Sequence, residues 1–322
     1  MGNPSLLESD PKIARCVAKL ELQASAIDAA APLFPLVRRC RIFFSDRQDY
    51  EGRDRLRMTI SSLWRFLAIT FGLTWGIAAL LILFPDQLTA VFGEMSMTNP
   101  LFLCAVYAPA IAAFILVIRH DGTDGLRRFL LRLLQWRCPT IWYVFLLAGV
   151  PALTYCAVAL KGTLGDDPFP FSPWYHMFPA LALALVVGPI EEFGWRGIAL
   201  PLLQQRYAPL WAGLILGAIW AIWHIPAFLI GGTPQSAWSF APYFLAIFAI
   251  SVIMTALFNA SHGSLLLPAL FHFQLNNPVY PEAQPYDLLT FTLAAMVIVF
   301  LNRRRMLRRN GAATEVVPSI PQ

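Results

Sequence analysis

The sequence predicts an all-α polytopic membrane protein: a bundle of about eight transmembrane helices with one interfacial amphipathic helix. Three observations carry that fold class. Of 322 residues, 57% are hydrophobic and only 13% charged, against about 45–50% and 25% in an ordinary soluble domain. The apolar excess falls in blocks long enough to cross a hydrocarbon core, which takes about 20 helical residues. The blocks are apolar on all sides, whereas the strands of a membrane barrel alternate apolar and polar residues.

Eight blocks are candidate spans, at about 62–84, 99–118, 140–160, 176–200, 209–230, 239–258, 264–279 and 286–302. The seventh is the weakest. Its apolar stretch runs for 14 residues from Ser264 to Asn277, about 21 Å of helix, and it needs shelter from its neighbours. Positive charge orients the bundle. Seven arginines lie between Arg38 and Arg57, the loop after the second block holds Arg119, Arg127, Arg128, Arg132 and Arg137, and the tail reads RRRMLRR from Arg303. With eight crossings all of these fall on one side, and Lys161 is the one basic residue in the loops opposite. Both termini are therefore expected in the cytoplasm of a multi-pass protein, in a bacterial plasma membrane. The flanking arginines account for the net charge of +5. They suit anionic membrane lipids, so no nucleic-acid partner is needed.

The chain divides into an N-terminal cytoplasmic segment at 1–60, a transmembrane domain at 61–302 and a basic tail at 303–322. The first segment has no readable role and holds at most a short amphipathic helix before Pro32. MGNPSLLESD lacks a basic stretch followed by an apolar one, so no cleaved signal peptide is expected. The five cysteines are scattered without metal spacing. In DGLRRFLLRLLQWR, Leu126, Phe129, Leu130, Leu133 and Leu134 repeat at helical spacing, with Arg127, Arg128, Arg132 and Gln135 on the opposite face. That is the pattern of a helix lying in the interface. The loop GDDPFPFSPW reads as irregular, with Asp166 and Asp167 solvated.

Ionisable side chains inside a span cost about 3 kcal/mol or more each and are functional candidates by default. They cluster in three places. In GPIEEFGWRGIALPLL, Glu191 and Glu192 are adjacent, so on a helix they point about 100° apart and cannot share a role. Arg196 follows Glu192 at i+4, where the two can pair. Glu191 is left for proton transfer; the competing interpretation is a structural ion pair. In AIWAIWHIPAFLIGG, His224 follows Trp220 and Trp223, and by itself could be a packed core histidine. In PALFHFQLNN, His272 and Asn276 share a face at i, i+4, suited to an oxyanion or a water but equally to a neighbouring helix. Each place needs polar company in a bilayer, and facing one another is the cheapest solution. Together they offer what peptide hydrolysis by an activated water requires.

At these residues the chain resembles the type II CAAX prenyl endopeptidases, also called the CPBP or ABI family of intramembrane proteases. The resemblance covers about residues 97–300. EExxxR matches Glu191, Glu192 and Arg196; an aromatic residue four before a histidine matches Trp220 and His224, with tryptophan where phenylalanine is common; HxxxN matches His272 and Asn276. It implies that Glu191, assisted by His224, activates water, and that His272 and Asn276 hold the oxyanion. Arg196 would hold Glu192. The site would open toward the cytoplasm and take a membrane-associated or lipid-modified protein or peptide. No cofactor is required by this scheme, although Glu191, His224 and His272 would make an acceptable zinc set; HExxH is absent. Two other readings stay open: a non-proteolytic binding or immunity scaffold on the same helices, and, less well supported, a transporter, since no paired interrupted spans occur.

Overall fold

A computed structural model describes residues 58–166 and 169–318. The helix expected before Pro32 and the side chain of Asp167 lie outside the described residues. Within them the protein is helical throughout, without strands. Eight helices correspond to the eight blocks: α1 Ser61–Leu83, α2 Pro100–Leu134, α3 Thr140–Lys161, α4 Trp174–Gln204, α5 Pro209–Leu229, α6 Phe240–Ala260, α7 Leu266–Leu275 and α8 Asp287–Leu301. The first six are long and apolar enough to cross a membrane, and α7 and α8 are shorter.

Local chemistry sets the helix ends. The Asn99 side chain accepts from the Leu101 N–H and donates to the Phe92, Gly93 and Glu94 carbonyls, and Pro100 takes the first helical position. This fixes the start of α2. At Gly122 the backbone turns to φ 67° and ψ −164°, and the chain after it runs in a new direction to Leu134. The expected interfacial helix is this second arm of α2. One of its faces differs from the expectation. Arg132, placed with the polar residues by helical spacing, is 1% exposed, whereas Leu130, Leu131, Leu134 and Trp136 are exposed. Arg132 Nε donates to the Gly263 carbonyl, and its Nη1 donates to those of Gly197 and Val316. Three inward-facing carbonyls accept from the guanidinium and offset part of the cost of burying its charge. The leucines are left for the interface.

The seventh helix has only 10 residues, about 15 Å. It is shorter than the apolar block because Asn276 ends it and Pro278 follows. It packs on α3, α4 and α6, the shelter its length demands. The centre of the bundle is α6, of whose most apolar window 67% is buried against 22% for α1 and α3. It crosses α5 closely where Gly213 and Gly217 face it, and Ser251 Oγ donates to the Gly213 carbonyl at 2.8 Å. Small residues and interhelical hydrogen bonds are the means by which helices associate where lipid supplies no hydrophobic drive.

Candidate active site

The polar residues of α4 occupy its least regular stretch. A 3-10 turn at Pro189–Glu191 passes through one α turn, Glu192–Gly194, into a π turn at Trp195–Ala199. Such changes of winding recur at functional sites because they re-aim side chains. Here they send the adjacent glutamates to different partners, as their angular separation required. Glu191 Oε2 accepts from the indole N–H of Trp195 at 3.2 Å and from that of Trp220 at 3.0 Å. Glu192 Oε1 accepts from Arg196 Nη1 at 3.1 Å and from His272 Nδ1 at 2.7 Å. All four ionisable groups are at most 5% exposed.

Trp220 touches Glu191, Arg196, His224 and His272. Its N–H reaches Glu191. Its ring lies 4.5 Å from the Arg196 guanidinium carbon and 5.4 Å from the His272 ring. Its carbonyl accepts from His224 Nδ1 at 2.8 Å. A carbonyl can only accept, so His224 carries its proton on Nδ1 and presents Nε2 as an acceptor. The same logic puts a proton on His272 Nδ1, facing Glu192.

His272 and Asn276 converge on one spot. A methyl group built on Gly188 would lie 2.0 Å from Asn276 Nδ2 and 2.8 Å from His272 Nε2. The HxxxN pair therefore rests directly on the backbone of α4, and only a glycine leaves room for it. Glu191, Trp220, His224, His272, Asn276 and Gly188 all line a single cavity of about 450 Å³, a volume typical of ligand sites. Every residue singled out in the sequence is in or directly behind it.

Three participants had no clear sequence signal. Gly188 precedes EExxxR by three residues and Trp195 fills one of its unspecified positions, and spacing gave no reason to choose either. Tyr243 on α6 packs on the His224 ring at 5.4 Å, a contact only the tertiary fold reveals. The double use of Glu192, by Arg196 and by His272, was also not readable.

Glu191 Oε2, His224 Nδ1 and His272 Nδ1 each face a protein partner, which leaves the other carboxylate oxygen and both Nε2 atoms for other contacts. Among the described residues no group of three or more His, Cys, Asp or Glu side chains is arranged to hold a metal ion.

The described residues form a bundle with six helices of membrane-spanning length, in which a buried Glu/Arg/His cluster stands beside an apolar cavity that Glu191, His224, His272 and Asn276 line. Comparison supplies the class. Residues 173–277 match the family described as type II CAAX prenyl endopeptidase Rce1-like. The chain is also 30% identical over 191 residues to CAAX prenyl protease 2 of Methanococcus maripaludis, covering 55% of this chain and 70% of that protein. The chain belongs to the CAAX prenyl endopeptidase (CPBP) family and is a membrane protease of that type.

Proposed function

We propose that this protein hydrolyses a peptide bond of a membrane-associated or lipid-modified substrate by a glutamate-dependent, metal-independent route. The observation that carries this reading is the convergence of His272 Nε2 and Asn276 Nδ2 over Gly188, in the cavity that also holds Glu191 and His224. Two potential donors close to one spot, in a cavity that also holds a base, supply the minimum equipment for a tetrahedral intermediate.

The charge balance supports the assignment. Glu191 and Glu192 as carboxylates offset Arg196 and a doubly protonated His272, so the buried cluster sums to zero, as a low-dielectric site favours. A water bound between Glu191 and His224 Nε2 gives its proton to Glu191 as its oxygen attacks the carbonyl carbon. The cluster then carries one positive charge while the substrate oxygen gains a negative one. His272 Nε2–H and Asn276 Nδ2–H donate to that oxyanion. Glu191 then passes the proton to the leaving nitrogen as the carbon–nitrogen bond breaks. Glu192 acts through others: it balances His272 and, with Arg196, holds α4 in its wound form.

The relative's name, CAAX prenyl protease 2, points to prenylated chain ends as one substrate class. The test is cleavage of a broad peptide set in detergent by wild type, Glu191→Gln and Asn276→Ala. Wild type should cleave, Glu191→Gln should be inactive, and Asn276→Ala should be slower by about 10²–10³. Equal cleavage by all three, or none by any, favours the binding-scaffold alternative.

A further inference from the structure

The wall behind His224 is held by α1, a helix that contributes nothing to the three motifs. The His224 ring is caged by three others, with centroid distances of 4.7 Å to Trp223, 5.4 Å to Tyr243 and 5.7 Å to Trp220. Trp223 is the nearest of them and meets it edge-on, at 79°. The Trp223 ring also packs edge-on against Trp195, at 5.6 Å and 72°, and the Trp195 indole N–H donates to Glu191. Trp223, 3% exposed, therefore stands between the indole that holds Glu191 and the imidazole of His224. Its placement governs how those two groups are set in the cavity that both line.

Two consecutive residues of α1 grip Trp223. Its indole N–H donates to Thr74 Oγ1 at 2.9 Å, and its carbonyl accepts from the Trp75 indole N–H at 3.3 Å. Thr74 Oγ1 in turn donates to the Ala105 carbonyl of α2 at 2.8 Å. That carbonyl is open to it because Pro109, four residues further on, lacks the N–H that would bond it within the helix. An indole N–H only donates and a carbonyl only accepts, so the Thr74 hydroxyl must do both, and each bond fixes the direction of the other. The same proline seats α2 on α4, where a methyl built on Gly194 would meet the Pro109 carbonyl at 2.6 Å. Pro109 thus locates the turn that carries Trp195 and frees the acceptor that orients Thr74. α1 lies outside residues 173–277, which the family model matches.

Resting on the proteolytic reading above, we infer that Thr74 is a positioning residue for the reaction: by fixing the Trp223 indole it holds the His224 ring at the angle from which Nε2 meets the attacking water beside Glu191. Thr74 acts through Trp223 and not on the reacting atoms. Thr70, one turn earlier on α1, supplies the contrast. It too is buried, but among the described residues its Oγ1 has no hydrogen-bond partner. The same threonine-to-valine change at the two positions therefore removes the relay in one case and no hydrogen bond in the other.

Thr74→Val keeps the shape of the side chain and deletes both bonds, whereas Thr74→Ser keeps both. On a cleaved peptide in detergent, Thr74→Val should lower kcat by about 10–100-fold, the scale for a misplaced catalytic group, with KM changed by less than about threefold. Thr74→Ser should recover most of the rate, and Thr70→Val should match wild type. Trp223→Phe keeps a ring but has no N–H to offer, so it should be slow by itself, and adding Thr74→Val to it should cost little more. A Thr74→Val protein that melts early yet turns over at the wild-type rate overturns the role, as does an equal loss of rate in Thr70→Val. The second measurement needs no cleavage. In protein labelled with nitrogen-15 histidine, the His224 ring signals are assigned by their loss in His224→Gln. Thr74→Val should shift or broaden them and leave those of His262 in place; Thr70→Val should move neither. Unmoved His224 signals in Thr74→Val overturn the positioning role whether or not the protein is a protease. If wild type cleaves no peptide, the proteolytic reading falls, and the ring signals alone decide whether Thr74 orients His224.

Discussion

Adding one methyl group at Gly188 tests the oxyanion pair without touching it chemically. The backbone there has φ −75° and ψ −50°, ordinary right-handed helix, so alanine is conformationally welcome and favoured over glycine by about 1 kcal/mol. The damage is steric. The new carbon would stand 2.0 Å from Asn276 Nδ2 and 2.8 Å from His272 Nε2, well inside contact distance, and both must move. Asn276 is exposed to the cavity and can swing away. His272 is gripped by Glu192 and the Trp220 ring, so its shift should consume the gain in helix propensity and up to about 3 kcal/mol more. Gly188→Ala should therefore remain folded, with a modest fall in Tm in detergent. Its kcat should drop by about 10²–10³, the loss of one preorganised oxyanion donor. The decisive assay is a double-mutant cycle with Asn276→Ala on a cleaved peptide. Because the added methyl meets Asn276 first and hardest, most of the loss in Gly188→Ala runs through Asn276, and the double variant should be little worse than the worse single one. Full activity in Gly188→Ala would refute the reasoning, as would independent losses that multiply.

Trp220→Phe restores the more common aromatic residue but deletes one of the two N–H donors to Glu191. A hydrogen bond to a charged group is worth about 1.5–3 kcal/mol, so kcat/KM should fall by about 10–100-fold with the fold intact; an unchanged rate would show that Trp220 only packs. Glu192→Gln leaves Arg196 and His272 without their shared counter-charge and should lower unfolding stability by about 3–5 kcal/mol, read as an early melt in detergent. Arg132→Met strands three carbonyls on three segments and should destabilise by at least about 3 kcal/mol, freeing the tail to proteolysis while wild type resists. Chelation of the purified protein should leave peptide cleavage unchanged; stoichiometric zinc whose removal abolishes activity would replace the glutamate route with a metal one.

The fold was legible because a bilayer imposes a simple length and polarity rule. Every block longer than the hydrocarbon core appears as a helix within a few residues, and even the weakness of the seventh was readable from its length. What the rule cannot see is how a polar side chain escapes lipid. Arg132 sits on the polar face of an amphipathic stripe by spacing alone, yet Gly197 offers it a carbonyl from the π turn of another helix. That acceptor exists only after α4 has been wound out of regular α geometry, and no periodicity argument reaches it.

At the site the same limit separates residue from role. Spacing correctly sent Glu191 and Glu192 to different surfaces and paired Glu192 with Arg196, because those are properties of one helix. It could not show that Glu192 also binds His272 from α7, which depends on two helices meeting. That contact changes the chemistry. In the proposed mechanism, a His272 whose Nδ1 proton faces a carboxylate serves an oxyanion from Nε2 only when doubly protonated, so the proposed oxyanion pair would need Glu192 as much as Asn276. Glu192, Arg196 and His272, separate in the sequence, form one buried charged cluster in the fold. Glu192→Gln should then lose both stability and rate. Glu191→Gln, which spends its carboxylate only on indole N–H groups, should lose rate and keep most of its stability. A pair of melting curves beside a pair of turnover rates separates these outcomes, and equal destabilisation by the two variants would return Glu192 to the role of a simple anchor.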